Sequence, residues 1–327
     1  MLDQKIDPTP VIVQGLGPMG KEILKAAHQD PRLNVVGVVD IDSSLVGTRL
    51  SDHGLEPGNI VISSSLEAGN TADVVLHATG SYLESVAPQI QEALTMGLNV
   101  VSTCEELSFP FVRHPSISET LDSLALDHGL TVVGTGVNPG FMMDRLPLAM
   151  ASISHSIRSI QVDRVQDPTS RRRPFQVKVG MGMSTKEFEE LASKGSFGHV
   201  GLEESARLIA TGLGWDLEKW DHHIEPVHAE TAERVNGLIE TLKASTADGR
   251  TLALRFVAHS SVDECFDSIK IEGLPEIDLH IAGGVAGDDA TAAAVLQAAK
   301  VIKSARTGLI SVLELPLGAY KFRSQEG

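Results

Sequence analysis

Residues 11 to 20 read Val-Ile-Val-Gln-Gly-Leu-Gly-Pro-Met-Gly, a short apolar run that leads straight into glycines at 15, 17 and 20. Val11 to Val13 predicts a buried strand, and the glycine spacing after it predicts a turn that binds a dinucleotide. Gly15 permits a sharp turn, Gly17 lets the backbone approach a pyrophosphate, and Gly20 lets the next helix pack on the strand. Amides at that helix's N-terminus would hold the phosphates. Pro18 suits the first helical turn, where its missing N–H has no partner to lose, and Met19, Ile23 and Ala26 or Ala27 continue at helical spacing. A second apolar run, Val35 to Val39, ends in Asp40, the place at which such a fold sets an acid on the adenosine ribose hydroxyls. Asp40 and Asp42 would repel a 2′-phosphate. NAD is therefore expected over NADP, with Arg49 the nearest base that softens the preference.

The rest of the first half repeats this grammar. Short apolar runs at 60–62, 72–78, 99–102 and 130–134 predict strands, and 83–96 and 117–128 predict helices closed by Gly97 and Gly129. Strands alternating with helices imply a mostly parallel sheet covered on both faces. The fold class is α/β, an N-terminal Rossmann-type doubly wound parallel sheet over residues 1–138, followed by an α+β open-sheet domain over 139–287. Asn138-Pro139-Gly140 marks the change. Residues 156 to 167 alternate as a strand with Ile160, Val162, Arg164 and Gln166 on one face, so its core-facing side turns polar at one end, as in a strand entering a cleft or leaving the core at a sheet edge. Ser184 with Glu187 forms a capping box for one helix, Leu202 to Leu213 predicts another, and strands are expected at about 219–229, 251–262, 267–272 and 277–282. An alanine-rich helix from Asp288 to about Arg306, then the apolar Leu309 to Leu315, is expected to return to the first domain and complete it over about 288–327.

Composition excludes several classes of partner. The 327 residues carry 43 acids against 27 bases, a net charge of −16, which disfavours nucleic acid and anionic membrane surfaces. No stretch approaches the roughly 18 apolar residues of a spanning helix, and the first residues lack a signal-peptide core, so a cytoplasmic location is expected. Cys104 and Cys265 lack metal-ligand spacing and provide no disulfide framework, and no metal is expected. His222, His223 and His228 read as strand-face or solvated residues rather than a metal set.

Chemistry is expected at the carboxyl edge of the parallel sheet. There Ala78, Thr79 and Gly80, and Ser102 and Thr103, join Gly15, Leu16, Gly17, Pro18, Met19, Gly20 and Asp40 as cofactor contacts. One of the adjacent acids Glu105 and Glu106 should face a substrate lying against the nicotinamide, although acids in a helix's first turn are favoured by the dipole in any case. Asn138, Phe141 and Met142, at the domain junction, are candidates for lining the substrate cavity, with Asn138 also placed among the cofactor contacts. Arg171 to Arg173 reads by default as a solvated charge run.

The glycine turn, the Val101 to Pro110 stretch with Cys104-Glu105-Glu106, the Gly134 to Phe141 run and the Arg164 to Gln176 block together resemble the native amine dehydrogenases and the related 2,4-diaminopentanoate dehydrogenases, a dihydrodipicolinate-reductase-like group. The resemblance implies NAD(P)-dependent interconversion of an amine with a ketone or aldehyde plus ammonia, in a homodimer assembled through the second domain. It implies a catalytic glutamate in the Cys-Glu-Glu stretch, carried to Glu105 with Glu106 less favoured, and a pocket histidine at His199, beside Phe141, Met142, Arg164 and Gln166. True dihydrodipicolinate reductases follow their His-His pair with Lys-x-Asp-Ala-Pro-Ser-Gly. Here His222-His223 runs into Ile224-Glu225-Pro226, which argues against a dicarboxylate substrate of that kind. The alternatives are a 2,4-diaminopentanoate-type amino acid dehydrogenase, another imine or carbonyl reductase, or, in a different class, a non-catalytic nucleotide sensor.

Overall fold

The computed structural model describes residues 7–69, 71–193, 197–228 and 234–318. They form two units. One holds the chain up to Val137 together with the segment from Asp288, and the other holds Asn138–Gly287. The expected tail beyond residue 318 lies outside the described residues, as does the end of the strand predicted to reach 229.

The first unit opens with β1 (Thr9–Gln14), α1 (Pro18–Gln29), β2 (Leu33–Val39), β3 (Val74–His77), α2 (Leu83–Thr95), β4 (Asn99–Ser102), α3 (Pro115–Asp127) and β5 (Thr131–Gly134). The second contains α4 (Arg145–Ala151), β6 (His155–Gln166), α5 (Arg173–Lys178), α6 (Thr185–Ala192), α7 (Leu202–Leu213), β7 (Lys219–His228), β8 (Val235–Ser245), β9 (Thr251–His259), β10 (Phe266–Leu274) and β11 (Ile277–Ala282). The chain then returns to the first unit through α8 (Gly287–Val301) and β12 (Gly308–Ile310).

The first unit's sheet has the order β12-β5-β4-β3-β1-β2, with every neighbouring pair parallel. Its strands are apolar and buried, as a sheet covered on both faces requires, and Val11, Ile12, Val13, Val75, Leu76, Val100 and Val132 are sealed from solvent. Strand order reverses between β1 and β3. That reversal leaves a crevice beyond their carboxyl ends, where open sheets of this type take ligands. The second unit's sheet is mixed, in the order β11-β10-β6-β9-β8-β7, with only β6 and β9 running parallel. Its core joins Ile160, Val162, Leu254 and Ile269 to Leu202, Ala206 and Ile209 of α7. No helix among the described residues is long and apolar enough to cross a membrane.

Several expected elements are corrected. Residues 60–62 form no sheet strand: Val61 makes a single bridge to Arg49 in the preceding loop and Ser63 a single parallel bridge to Val39 at the end of β2. The sixth strand of the parallel sheet is instead β12, from the apolar segment after α8. Strand β8 is additional to the expected strands. In the fold Gly237 has φ +142, and a β carbon there would meet the Ala258 carbonyl and His259, so the glycine serves close strand approach. The helices α4 and α5 are also additional, and Arg173 opens α5 rather than lying in a loop. The capping box of Ser184 with Glu187 is present, and α7 covers Leu202–Leu213 as expected.

Two features carry measurable consequences. A β carbon on Gly134 would lie 2.5 Å from the Leu107 carbonyl carbon and 2.6 Å from the Ser108 nitrogen. Gly134→Ala is expected to lower stability by about 1–3 kcal/mol, read by urea unfolding. The Lys300 ammonium donates to Asp30 Oδ2 at 2.6 Å, tying α8 to the end of α1. Burial alone would raise the Asp30 pKa, but Lys300 and Arg32 outweigh it and lower it from 3.8 to about 2. The folded state therefore favours the charged carboxyl. That stabilisation is complete above the unfolded value and disappears as pH falls through about 2. Asp30→Asn should be less stable than the parent at neutral pH, with the difference shrinking below pH 4 in paired unfolding curves.

Candidate active site

In the first unit the glycine turn is built by crowding. Gly15 has φ +94, and a β carbon on it would sit 2.7 Å from the Ala78 carbonyl oxygen at the end of β3. A β carbon on Gly20 would overlap the Gly15 carbonyl, so α1 packs directly on the turn. Gly17 is different. It is exposed, caps α1, and has nothing within 4 Å of its β-carbon position. Open space over helix amides, with Pro18 at the first helical position, fits a dinucleotide pyrophosphate. Asp40, half-buried at the end of β2, accepts the Leu16 N–H at 2.5 Å and the Asp42 N–H at 2.8 Å, which sets a carboxylate beside the turn as a ribose contact requires. Met19 and Gly20 are buried in α1 and face inward, so they shape the turn from beneath.

Next along the edge, the buried His77 closes β3. Its Nδ1 lies 2.8 Å from Ser102 Oγ, and its Nε2 lies 2.8 Å from Thr79 Oγ1 and 3.0 Å from Gln89 Oε1. The expected contacts Thr79 and Ser102 are thereby joined through a residue that the sequence did not single out. The Thr103 N–H donates to the His77 carbonyl at 2.9 Å, and the Ala78 N–H donates to the Gln14 carbonyl at 2.8 Å.

The two adjacent acids part company in the 3-10 turn Glu105–Ser108. Glu106 is buried: its Oε2 accepts the Leu83 N–H at 2.7 Å and lies 3.0 Å from His114 Nε2, while Arg113 donates to its Oε1 at 3.3 Å. Tyr82 gives α2 no side-chain cap, so Glu106 supplies the partner that the first amide of α2 lacks. Glu105, at the first position of the same turn, is half-buried. Burial pushes the Cys104 thiol far above its ordinary range, and the charges of Glu105 and Glu106 push the same way, so this cysteine is a packing residue and not a nucleophile.

The second unit holds the other expected residues. Asn138 and Met142 are buried and Phe141 is half-buried before α4. Asn138 Nδ2 reaches Met143 Sδ at 3.1 Å, and its buried Oδ1 has no partner among the described residues. Asp144 accepts the Gly140 N–H at 2.8 Å and the Ser205 hydroxyl at 2.7 Å, fixing this turn. Arg164 is 2% exposed and donates to Asp267 Oδ1 at 2.7 Å and to the Val285 carbonyl at 2.9 Å. Gln166 donates to the same carbonyl at 3.3 Å and accepts from Arg171 at 3.1 Å. The polar end of β6 is thus a buried network, and Arg171 belongs to it and also covers the Phe175 ring at 4.4 Å.

His199 stacks on Phe256 with ring centroids 4.6 Å apart. Burial, then the nearby Lys178 and Arg164 charges, push its pKa well below the ordinary value, so the ring is neutral at physiological pH. Its Nε2 is sealed from solvent and has no hydrogen-bond partner among the described residues. The buried Glu240 accepts the His199 N–H at 2.6 Å and lies 2.8 Å from His222 Nε2. His223 pairs with Asp221 at 2.7 Å. Sequence reasoning missed His77, Gln89, Asp267 and Glu240. A histidine inside the apolar run 72–78 was the one visible signal among them.

The division between the acids is testable by stability. Glu106→Gln should destabilise the protein by about 1–3 kcal/mol through the loss of buried charge-assisted bonds. Glu105→Gln, at a half-buried rather than a fully buried position, should cost less than Glu106→Gln in the same denaturant titration.

Known proteins resemble this chain in sequence and in fold. The 2,4-diaminopentanoate dehydrogenase of Acetoanaerobium sticklandii is 27% identical over 334 aligned residues, spanning 95% of this chain and 94% of that one. An amine dehydrogenase of Streptomyces virginiae is 23% identical, over 64% of this chain and 60% of its own. The structure of an amine dehydrogenase from Mycobacterium smegmatis has the same fold, with a TM-score of 0.86 at 20% identity, covering 96% of this chain and 97% of that one. The model of the 2,4-diaminopentanoate dehydrogenase C-terminal domain matches residues 141–323, more than half of the chain, and the protein therefore belongs to that family.

Proposed function

We propose that this protein is an NAD(P)-dependent amine dehydrogenase that interconverts an amine with a ketone or aldehyde plus ammonia, with Glu105 as its acid–base group. The observation that carries the reading is the placement of Glu105. It is a half-buried carboxylate directly after β4, on the same sheet edge as the glycine turn, while its neighbour Glu106 is fully engaged in holding the fold. Relatives named for amine chemistry support the reaction class.

When bound, the nicotinamide supplies the hydride acceptor in deamination and the donor in the reverse direction. Loss of hydride from carbon needs the nitrogen lone pair, so the ammonium form of the substrate must first be deprotonated. Glu105 takes that proton. Half-buried at the sheet edge, Glu105 then releases that proton to solvent, and the restored carboxylate offsets the cationic iminium as it develops and accepts a proton from the water that adds to the iminium carbon. Reductive amination uses these contacts in reverse. Gly15, Gly17, Gly20 and Asp40 would hold the dinucleotide, and Asp40 with Asp42 supports a preference for NAD over NADP. In the second unit, neutral His199 and the apolar Phe141 and Met142 support an amine whose remainder is uncharged. The second unit's six-stranded sheet would permit the homodimer that the family resemblance implies.

The test is loss of NADH absorbance with a panel of short ketones and aldehydes, with and without ammonia. Ammonia-dependent turnover is expected. Turnover without ammonia would move the protein to a carbonyl or imine reductase, and tight NADH binding with no turnover would make it a sensor. Glu105→Gln should cut turnover by about 10²–10⁴-fold while NADH affinity holds.

A further inference from the structure

His77 is wholly buried at the end of β3, and none of the steps above uses it. A histidine there is expensive unless both ring nitrogens are matched, and here they are matched in opposite directions. Ser102 Oγ already accepts the Cys104 N–H at 3.0 Å, so its own hydrogen is directed at His77 Nδ1. On the other side, the Thr79 hydroxyl donates to Gln89 Oε1 at 2.6 Å, and His77 Nε2–H donates to that same oxygen at 3.0 Å while lying 2.8 Å from Thr79 Oγ1. This is a single consistent set of donors and acceptors for a neutral imidazole. Burial supports it by pushing the His77 pKa down to about 4, with the Gln89 bond opposing only in part.

The two arms lead to different places. The Nε2 arm fixes Thr79, in the turn after β3 whose Ala78 carbonyl packs against Gly15. The Nδ1 arm fixes Ser102 and, through it, the amide of Cys104, the residue that caps the turn carrying Glu105. Resting on the function proposed above, we propose that His77 is a positioning residue that holds the dinucleotide turn and the catalytic-carboxylate turn in one register. An apolar residue of similar size would fill the space and leave the two turns independent.

Two conservative variants separate the arms. His77→Asn places its side-chain oxygen near the Nδ1 position and keeps Ser102 while releasing Thr79 and Gln89. His77→Gln reaches the Nε2 position and releases Ser102. Fluorescence titration with NADH should show His77→Asn binding about tenfold more weakly, with kcat for the best carbonyl of the panel within about twofold of the parent. His77→Gln should show the reverse, with NADH affinity within about twofold and kcat lowered about tenfold. If a His77 variant does not fold, Gln89→Leu cuts the Nε2 arm and should likewise weaken NADH binding about tenfold while sparing kcat, and loss of both or of neither in that variant would overturn the inference. Parallel loss of affinity and kcat in both variants, or no change in either, would overturn the inference. An unmodified protein that neither binds NADH nor turns over would instead overturn the proposed function, and this inference with it.

Discussion

Around the carboxyl edge of the parallel sheet, backbone segments pass so closely that a β carbon has no room. Gly15 lies against the Ala78 carbonyl, Gly20 against the Gly15 carbonyl, and Gly134 against the backbone of Leu107 and Ser108. These approaches decide where everything else can be. The first two press the start of α1 onto the switch point between β1 and β3, and the third presses the 3-10 turn after β4 onto the end of β5. At Gly17 the same turn is open, so contact and clearance alternate within six residues. A close-packed edge of this kind gives the glycine turn and the 3-10 turn little freedom to move separately.

Within that frame, two acids adjacent in sequence are placed differently. Glu106 turns inward and meets an orphan helix amide, an imidazole and a guanidinium, whereas Glu105 stays at the margin. In the second unit Arg164 is consumed by Asp267 and Val285, and the neutral, sealed nitrogen of His199 is left unmatched among the described residues. A buried charge needs full partnering, while a neutral ring tolerates one open valence and so can meet a ligand.

Much of the first unit was legible because its signals are local. The glycine triplet, the acid after β2 and the alternation of apolar runs with helices each depend on residues close in sequence. The failures were of two kinds. Residues 60–62 had strand composition but make only isolated bridges around them, from Val61 to Arg49 and from Ser63 to the end of β2, while the sixth strand is β12, about 250 residues further on, beside β5. Strand β8 was hidden because Asn236-Gly237 has turn chemistry, and only the packing of β9 against it shows why a glycine is needed. The site was legible as a set of loop positions. The networks behind it, His77 with Gln89 and Glu240 with His199, join residues 12 and 41 positions apart in patterns that no spacing announces.

The pairing of β12 with β5 also bears on how the protein is made. The second unit is one uninterrupted stretch, Asn138–Gly287, and can complete its own sheet during synthesis. The first unit cannot. Its β5 stays an open sheet edge until residues 308–310 have been translated, so the nucleotide-binding half begins first on the ribosome and finishes last. During that interval the exposed edge of β5 is a surface for chaperones to guard and for neighbouring nascent chains to mispair with.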